Sequence, residues 1–491
     1  MPSLAAGFIV FATSAAVLVL EILAARLLAP YVGVTLQTYT GIIGTVLAGI
    51  ALGSWYGGKL ADRADPRALL GPMVLLGGVL ALCAVPAVTF FGAALAGDGS
   101  PLAILVLSFV GFFAPAAVLS AVNPTVVKIQ LASLEETGRV VGRLSALSTA
   151  GAILGTFVTG FLLVTAWPNR PIIVGLGVLL VLGGVMLWWW LAPTRETFPS
   201  ALLLLALTAG ALTLAVPGPC DFESAYYCAR VVAAEDRDSG RVLVLDRLRH
   251  SYVDLDDPAY LGFGYTQVFA DVIDGTLPPG EPVDALHIGG GGFTMPRYLA
   301  ARRPGSQSLV LELDPLLVEV ARDELGLVTG RDLRVETGDA RLGVAAQPPE
   351  RWDVVIGDAF GGLAVPWHLT TVEFVEDIRV TLRPGGVYMI NVIDYPPMEF
   401  ARAEAATIAS VFDHVALVAP ARRLLGAEGG NVVIVGSDAP IDAERIRGVV
   451  AARGGDEEVV TGSRFAEFVG AAQVLTDDHA PVDQLLTPRP Q

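Results

Sequence analysis

Apolar residues are concentrated in the first 218 positions, where long hydrophobic runs alternate with short polar connections. A helix needs about 20 residues to cross a hydrocarbon core of about 30 Å. Seven runs reach roughly that length, at 5–27, 38–57, 69–93, 101–122, 145–166, 171–192 and 199–217. The pattern predicts a seven-span helical membrane domain at residues 1–218.

The pattern changes after this region. Residues 223–256 alternate in short strands around the turn "DRDSG", which predicts a small β-rich lead-in at 219–258. In 259–491, apolar strands alternate with helix-length segments. The strands are expected at 284–289, 308–313, 332–337, 352–357, 386–393, 414–419 and 431–436, and the helices at 260–274, 294–303, 315–325, 369–381 and 397–411. This alternation predicts a doubly wound, mostly parallel, Rossmann-like sheet.

Charge divides the chain at the same place. Residues 1–218 hold nine of the 32 Lys and Arg residues and seven of the 49 Asp and Glu residues. Residues 219–491 contain no lysine and carry a formal charge of −19. An acidic surface of this kind repels nucleic acid and attracts cations, polyamines included, although it also serves solubility alone. Nucleic acid is therefore not an expected partner.

Basic residues also predict the orientation of the spans. The loops after the second, fourth and sixth runs hold Lys59, Arg63, Arg67, Lys128, Arg139, Arg143 and Arg195. The loops after the first, third and fifth runs hold only Arg26 and Arg170. Loops rich in Lys and Arg stay in the cytoplasm. We therefore expect a multi-pass cell-membrane protein with a cytoplasmic N-terminus and, after seven spans, an extracytoplasmic C-terminal domain.

Two of the three cysteines lie just beyond the last run. Cys220 and Cys228 flank the segment "DFESAYY". In an oxidising compartment such a pair can close a small disulfide loop, whereas two free thiols would indicate nothing about the compartment. A disulfide between them agrees with the expected extracytoplasmic location.

Candidate ligand groups lie at the predicted strand ends, where doubly wound sheets bind ligands. Gly289, Gly290, Gly291 and Gly292 follow the first strand, and such a turn lets backbone approach a ligand. Glu312 ends the next strand, where an acid can accept hydrogen bonds from ribose hydroxyls. Asp339 and Asp358 end the following two strands, within "ETGDA" and "WDVVIGDAFGG". Together they predict a nucleoside site, with Asp339 within reach of an adenine amino group and Asp358 facing the reacting group. The five histidines show no metal-ligand spacing, so no metal is expected.

These motifs resemble the spermidine synthase (polyamine aminopropyltransferase) family, specifically its membrane-fused members, over about residues 223–437. The resemblance implies a class I methyltransferase-like fold and decarboxylated S-adenosylmethionine as co-substrate, with no tightly bound cofactor. It implies that an aminopropyl group passes to a polyamine amine, with Asp358 as the base. It also implies donor binding by the glycine run, Glu312 and Asp339, and places His250, Tyr265 and Gln267 on the substrate side.

Three acids of the family pattern are absent. Gly292 stands at the aspartate of Gly-Gly-Gly-Asp-Gly, Gly361 at the second acid of Asp-x-x-Asp, and Gln267 at a glutamate. Two other functions therefore stay open: a binding or transport-coupled module without chemistry, and an S-adenosylmethionine-dependent methyltransferase. The expected partners are a small amine or polyamine and the lipid bilayer, with a homodimer as an open alternative.

Overall fold

The computed structural model describes residues 1–95, 100–131, 133–191 and 200–487. The chain divides into two compact units. The first comprises Met1–Ala229 and Leu245–Arg247, and the second comprises Arg230–Val244 and Leu248–Gln491. Because this division runs through the predicted lead-in, the separate domain at 219–258 stays a prediction.

The first unit is helical. Six of its described helices are long and apolar enough to cross a membrane: Ser3–Val32, Leu36–Arg63, Pro66–Ala94, Pro101–Gln130, Thr137–Ala166 and Asn169–Leu191. The fourth and fifth each contain one π-helical turn, at Phe109–Phe113 and Thr159–Leu163. Polar residues start several of them: the side chains of Thr35, Asp65 and Ser100 each accept a hydrogen bond from a first-turn backbone N–H.

The seventh predicted span is a shorter helix. Ser200–Ala215 has 16 residues, which at 1.5 Å per residue gives about 24 Å, less than the ~30 Å core. The count of seven spans therefore stays a prediction. Arg195, which supports the predicted orientation, lies outside the described residues.

Small residues bring the helices of the first unit into close contact. A Cβ atom at Gly53 would overlap the backbone of Ala117, and one at Gly151 would overlap the backbone of Phe11. Small side chains at such crossings let helices in lipid pack backbone to backbone. One arginine of this unit has an acidic partner: the Arg26 guanidinium lies 3.6 Å from the Glu223 carboxylate and also donates to the Ser224 carbonyl.

A small sheet follows the helices. Its strands are β1 (Phe222–Glu223), β2 (Cys228–Ala233), β3 (Gly240–Leu245) and β4 (Leu248–Asp254), paired in that order. Cys220 and Cys228 are joined by a disulfide with their Cα atoms 5.1 Å apart.

The second unit contains an eight-stranded sheet. Its strands are β5 (Asp284–Ile288), β6 (Gln307–Glu312), β7 (Leu333–Thr337), β8 (Trp352–Gly357), β9 (Leu382–Asp394), β10 (His414–Pro420), β11 (Gly430–Ser437) and β12 (Glu457–Val460). Their spatial order is β12-β10-β11-β9-β8-β5-β6-β7. Strands β5 to β9 are mutually parallel, whereas β11 pairs antiparallel with β9 and β10, and β12 antiparallel with β10. The mostly parallel, doubly wound sheet is therefore confirmed.

Helices cover both faces of this sheet. Their main members are Gly264–Thr276, Thr294–Arg302, Pro315–Glu324, Ala340–Ala345, Val372–Thr381, Glu399–Val411, Ala443–Arg453 and Gly462–Val469. Successive residues of β5 point to opposite faces: Leu286 packs in the layer that contains Phe374 and Phe400, and Ala285 in the layer that contains Phe269 and Ile446. The chain order reverses at β5, which lies between β8 and β6, so a crevice is expected at the carboxyl ends of these strands.

Candidate active site

The glycine loop connects β5 to the helix Thr294–Arg302. Gly289 and Gly291 have φ values of +92° and +49°, in the left-handed region that favours glycine. A Cβ atom at Gly289 would also lie 2.5 Å from the carbonyl oxygen of Asp358. The loop can therefore run close against the end of β8 only because its residues lack side chains.

Glu312 holds this loop in place. Its Oε2 atom accepts hydrogen bonds from the backbone N–H groups of Gly290 (2.7 Å) and Gly291 (3.3 Å), and its Oε1 atom accepts one from Asp314 (2.9 Å). Burial raises the pKa of the Glu312 carboxyl. A carboxylate has about four lone-pair sites. The three backbone N–H groups occupy three of them, so Glu312 orders the loop and keeps one site, on Oε1, for a ligand hydroxyl.

Asp339 follows β7 and caps the helix Ala340–Ala345. Its Oδ1 atom accepts from the backbone N–H groups of Arg341 (2.8 Å) and Leu342 (3.4 Å), as helix-capping carboxylates do. Its Oδ2 atom lies 3.1 Å from Nε2 of His368. The carboxylate predicted to bind adenine thus also has a structural role.

Asp358 follows β8 and stands at the centre of a polar network. Its Oδ2 atom accepts a hydrogen bond from the Tyr265 hydroxyl (2.9 Å), and its Oδ1 atom accepts one from Nδ2 of Asn391 (3.0 Å). Oδ1 of Asn391 in turn accepts from Nδ2 of Asn431 (2.9 Å). Burial raises the pKa of Asp358 to about 6, although both hydrogen bonds oppose the shift. Burial and the adjacent carboxylate raise the pKa of Tyr265 well above 10.

Asp358 opens onto a cavity of about 360 Å³ in the second unit. The cavity is lined by Leu248, Arg249, His250, Ser251, Gly262, Phe263, Gly264, Tyr265, Gly291, Asp358, Phe360, Gly362, Leu363, Asn391, Ile393 and Asn431. Burial lowers the pKa of His250 to about 4, so its imidazole is neutral at pH 7. Tyr265, His250, Gly291 and Asp358, all predicted from the sequence, therefore meet at one cavity.

Gln267, predicted on the substrate side, lies outside the residues that line this cavity. Its Nε2 atom donates to the Leu261 carbonyl (2.7 Å), and its Oε1 atom accepts from the Arg453 guanidinium (2.7 Å). Residues two apart on a helix point to different sides, so Tyr265 facing the cavity turns Gln267 away from it.

The space beside Gly292 is already filled. The Gly292 N–H donates to the Ser251 hydroxyl (2.8 Å), and a Cβ atom at Gly292 would lie only 2.7 Å from Ser251 Cβ. The Gly361 N–H donates to the Ala364 carbonyl (2.8 Å). An aspartate at position 292 would fit only if Ser251 moved. The packing around this position therefore suits glycine.

Comparisons with known proteins find partial similarity to polyamine aminopropyltransferases. No family model matches. The chain is 33% identical over 134 residues to a polyamine aminopropyltransferase from Vibrio vulnificus, covering 27% of this chain and 44% of the relative. It is 30% identical over 148 residues to the Chromobacterium violaceum polyamine aminopropyltransferase, covering 29% and 53%. Over these stretches the chain is similar to polyamine aminopropyltransferases.

Two further relatives extend the comparison. Putrescine N-methyltransferase 2 from Nicotiana tabacum is 31% identical over 164 residues, covering 32% of this chain and 43% of the relative. A probable spermidine synthase structure from Corynebacterium glutamicum aligns with a TM-score of 0.49 at 29% identity, over 54% of this chain and 98% of that one. The chain spans about half the length of the curated relatives named here.

Three residues of this site were not predicted from the sequence. Asn391 lies in the otherwise apolar strand β9, Asn431 in β11, and Ser251 in β4. A polar residue within the run "VYMINVID" is a signal that could have identified Asn391. The other two contacts depend on how distant strands are arranged.

Proposed function

We propose that the second unit is a transferase that binds an adenosyl sulfonium donor, decarboxylated S-adenosylmethionine, and moves its aminopropyl group to an amine. The observation that carries this proposal is Asp358, whose carboxylate opens onto the cavity next to the glycine loop and is oriented by Tyr265 and Asn391. The homologues named polyamine aminopropyltransferase support it.

The donor would lie across the loop. Glu312 lies against Gly290 and Gly291, and its remaining Oε1 lone pair suits a ribose hydroxyl. Asp339 would approach the adenine from the end of β7. These acceptors and the bare backbone fit an adenosyl group.

Asp358 would act as the general base. An alkyl ammonium must lose a proton before its nitrogen can attack, and a carboxylate with a pKa of about 6 is ionised at pH 7. The nitrogen lone pair then forms a bond to the methylene carbon attached to the sulfonium. The carbon–sulfur electron pair stays on sulfur, and methylthioadenosine leaves as a neutral thioether. Most of the acceleration would come from holding amine and donor in line.

The test uses the purified full chain in detergent with decarboxylated S-adenosylmethionine and a panel of amines. We expect methylthioadenosine to form, and to fall at least about a hundredfold in Asp358→Asn, as loss of a general base does. Asp323→Asn, which alters an exposed carboxylate of the same unit, is the matched control. No methylthioadenosine with any amine would reject the proposal, and calorimetry that still showed donor binding would favour a binding module.

Methyl transfer is the second candidate. Position 292 is a glycine packed against Ser251. The family resemblance implies an aspartate at this position, which would contact the aminopropyl amine of the donor. Relatives named putrescine N-methyltransferase are in line with the absence of this aspartate. S-adenosylhomocysteine formed from S-adenosylmethionine, with no methylthioadenosine from the decarboxylated donor, would select this reaction.

We also propose that the first unit anchors the protein in a bilayer. Its six long apolar helices support this placement. The predicted sides of the membrane can be tested by cysteine-accessibility labelling of intact cells, with single cysteines introduced beyond residue 218. Labelling by a membrane-impermeant reagent is expected, and protection of all such positions would contradict the predicted topology.

A further inference from the structure

The cavity in front of Asp358 has an uneven distribution of charge. Among its lining residues, Asp358 is the one acid and Arg249 the one guanidinium. His250 is neutral at pH 7 because burial lowers its pKa to about 4. Asn391, Asn431 and Tyr265 contribute neutral polar groups. The cavity therefore offers one site for a cation and one site for an anion.

The two charged groups differ in exposure. Asp358 is half-buried and held by hydrogen bonds from Tyr265 and Asn391. Arg249 is exposed, and its guanidinium carbon lies 5.5 Å from the ring centroid of Phe263, another lining residue. A carboxylate thus lies in the wall and a cation at the rim.

A diamine does not match this arrangement. Its first ammonium could approach Asp358, but its second would meet no further carboxylate among the lining residues and would share the cavity with Arg249. Like charges brought together in a partly desolvated cavity repel each other.

We propose that the acceptor is a zwitterionic amine, with an amino group at one end and an anionic group at the other. This inference rests on the proposed transferase function and specifies its substrate class. The amine faces Asp358, and the anionic end pairs with Arg249. The nitrogen forms the new bond to carbon, the carbon–sulfur pair stays on sulfur, and the released proton goes to Asp358. Arg249 is a specificity-determining residue that takes no part in bond making.

Three four-carbon amines isolate the effect of charge at the far end. The amines 1,4-diaminobutane, butylamine and 4-aminobutanoate have cationic, neutral and anionic ends, respectively. With the full chain in detergent, we expect kcat/KM to rise in that order. 4-Aminobutanoate should exceed 1,4-diaminobutane by roughly tenfold or more, because one compound gains an ion pair and the other is repelled.

Variants of Arg249 test the assignment. Arg249→Gln should reduce the ratio of 4-aminobutanoate to 1,4-diaminobutane by roughly fivefold, and Arg249→Glu should invert it, because only the rim charge changes. Arg322→Gln, at an exposed arginine of the same unit outside the cavity lining, should leave the ratio unchanged. Binding of the three amines is measured alongside turnover, by calorimetry with methylthioadenosine present.

The outcomes separate this inference from the proposed function. Turnover that is best with 1,4-diaminobutane and indifferent to Arg249→Glu would overturn the acceptor class but keep the transferase. Absence of turnover with every amine would overturn the transferase. In that case the binding order of the three amines, and its response to Arg249→Glu, would still confirm or reject the zwitterion site.

Discussion

Replacing Asp358 by asparagine should stabilise the protein while abolishing transfer. Burial raises the carboxyl pKa from 3.8 to about 6 in the folded chain. A shift of about two units corresponds to about 3 kcal/mol, by which folding disfavours the ionised form at pH 7. Asparagine has no ionised form and escapes this cost. Solvent in the cavity screens part of the effect, so the value is an upper bound.

Part of the gain is lost in hydrogen bonding. An amide oxygen at position 358 can still accept from Tyr265, but the amide N–H₂ would face the donor Nδ2 of Asn391. Losing one such bond costs about 1 kcal/mol. We therefore expect a net stabilisation of about 2 kcal/mol at pH 7, or roughly 4 °C in Tm for a unit of this size.

The pH dependence gives the sharper test. A carboxyl whose folded pKa is raised contributes stability below its unfolded pKa and loses that contribution as pH rises through the folded value. The advantage of Asp358→Asn should therefore be small or absent at pH 4 and grow until pH reaches about 6. Thermal unfolding of the full chain in detergent can be followed by differential scanning calorimetry. Asp323→Asn serves as the control. A Tm difference equal at pH 4 and pH 7, or a less stable variant at pH 7, would refute the reasoning.

Three other perturbations have defined outcomes. Tyr265→Phe removes a hydrogen bond that lowers the Asp358 pKa, so the acid limb of the pH–rate profile should move above pH 6, whereas an unmoved limb would contradict this contact. Gly292→Asp should lower the free energy of unfolding by roughly 1 to 3 kcal/mol through overpacking against Ser251. Adding Ser251→Gly to this variant should restore most of the lost stability in the same thermal assay. Replacing Cys228 by serine should lower Tm in non-reducing buffer by the equivalent of about 2 to 3 kcal/mol. Adding reductant should lower the Tm of the parent chain to the same value. If reductant leaves the parent Tm unchanged, no disulfide forms.

Local sequence signals predicted most of the second unit. Alternation of apolar strands with helices located β5 to β11, and the glycine run and the acids at strand ends located the groups around the crevice. Strand β12 was not predicted, because its four residues "EEVV" begin with two charges and pair only through β10. A short edge strand gives too weak an alternation to be recognised.

Local sequence signals did not predict contacts between strands that are far apart in the sequence. Asn431 reaches Asn391 because β11 inserts between β9 and β10, an order that no local pattern encodes. The substrate-side position of Gln267 was predicted from the family resemblance alone. That prediction did not consider that Tyr265 and Gln267, two residues apart, point to different sides of one helix. Asp339 was predicted as a ligand alone, yet its carboxylate also caps a helix. Polar residues at strand ends are thus located more readily than their hydrogen-bond partners.

The two asparagines beside Asp358 limit the routes by which a proton can leave its carboxylate. Nδ2 of Asn431 points at Asn391, and Nδ2 of Asn391 points at Asp358, so the amides form a one-way series of donors. Amide groups do not relay protons on the timescale of turnover, so the Oδ1 side of Asp358 offers no proton path. In the proposed transferase, a hydrogen ion taken up by Asp358 would leave from Oδ2, either by way of the Tyr265 hydroxyl or through the cavity mouth that the arriving amine also uses.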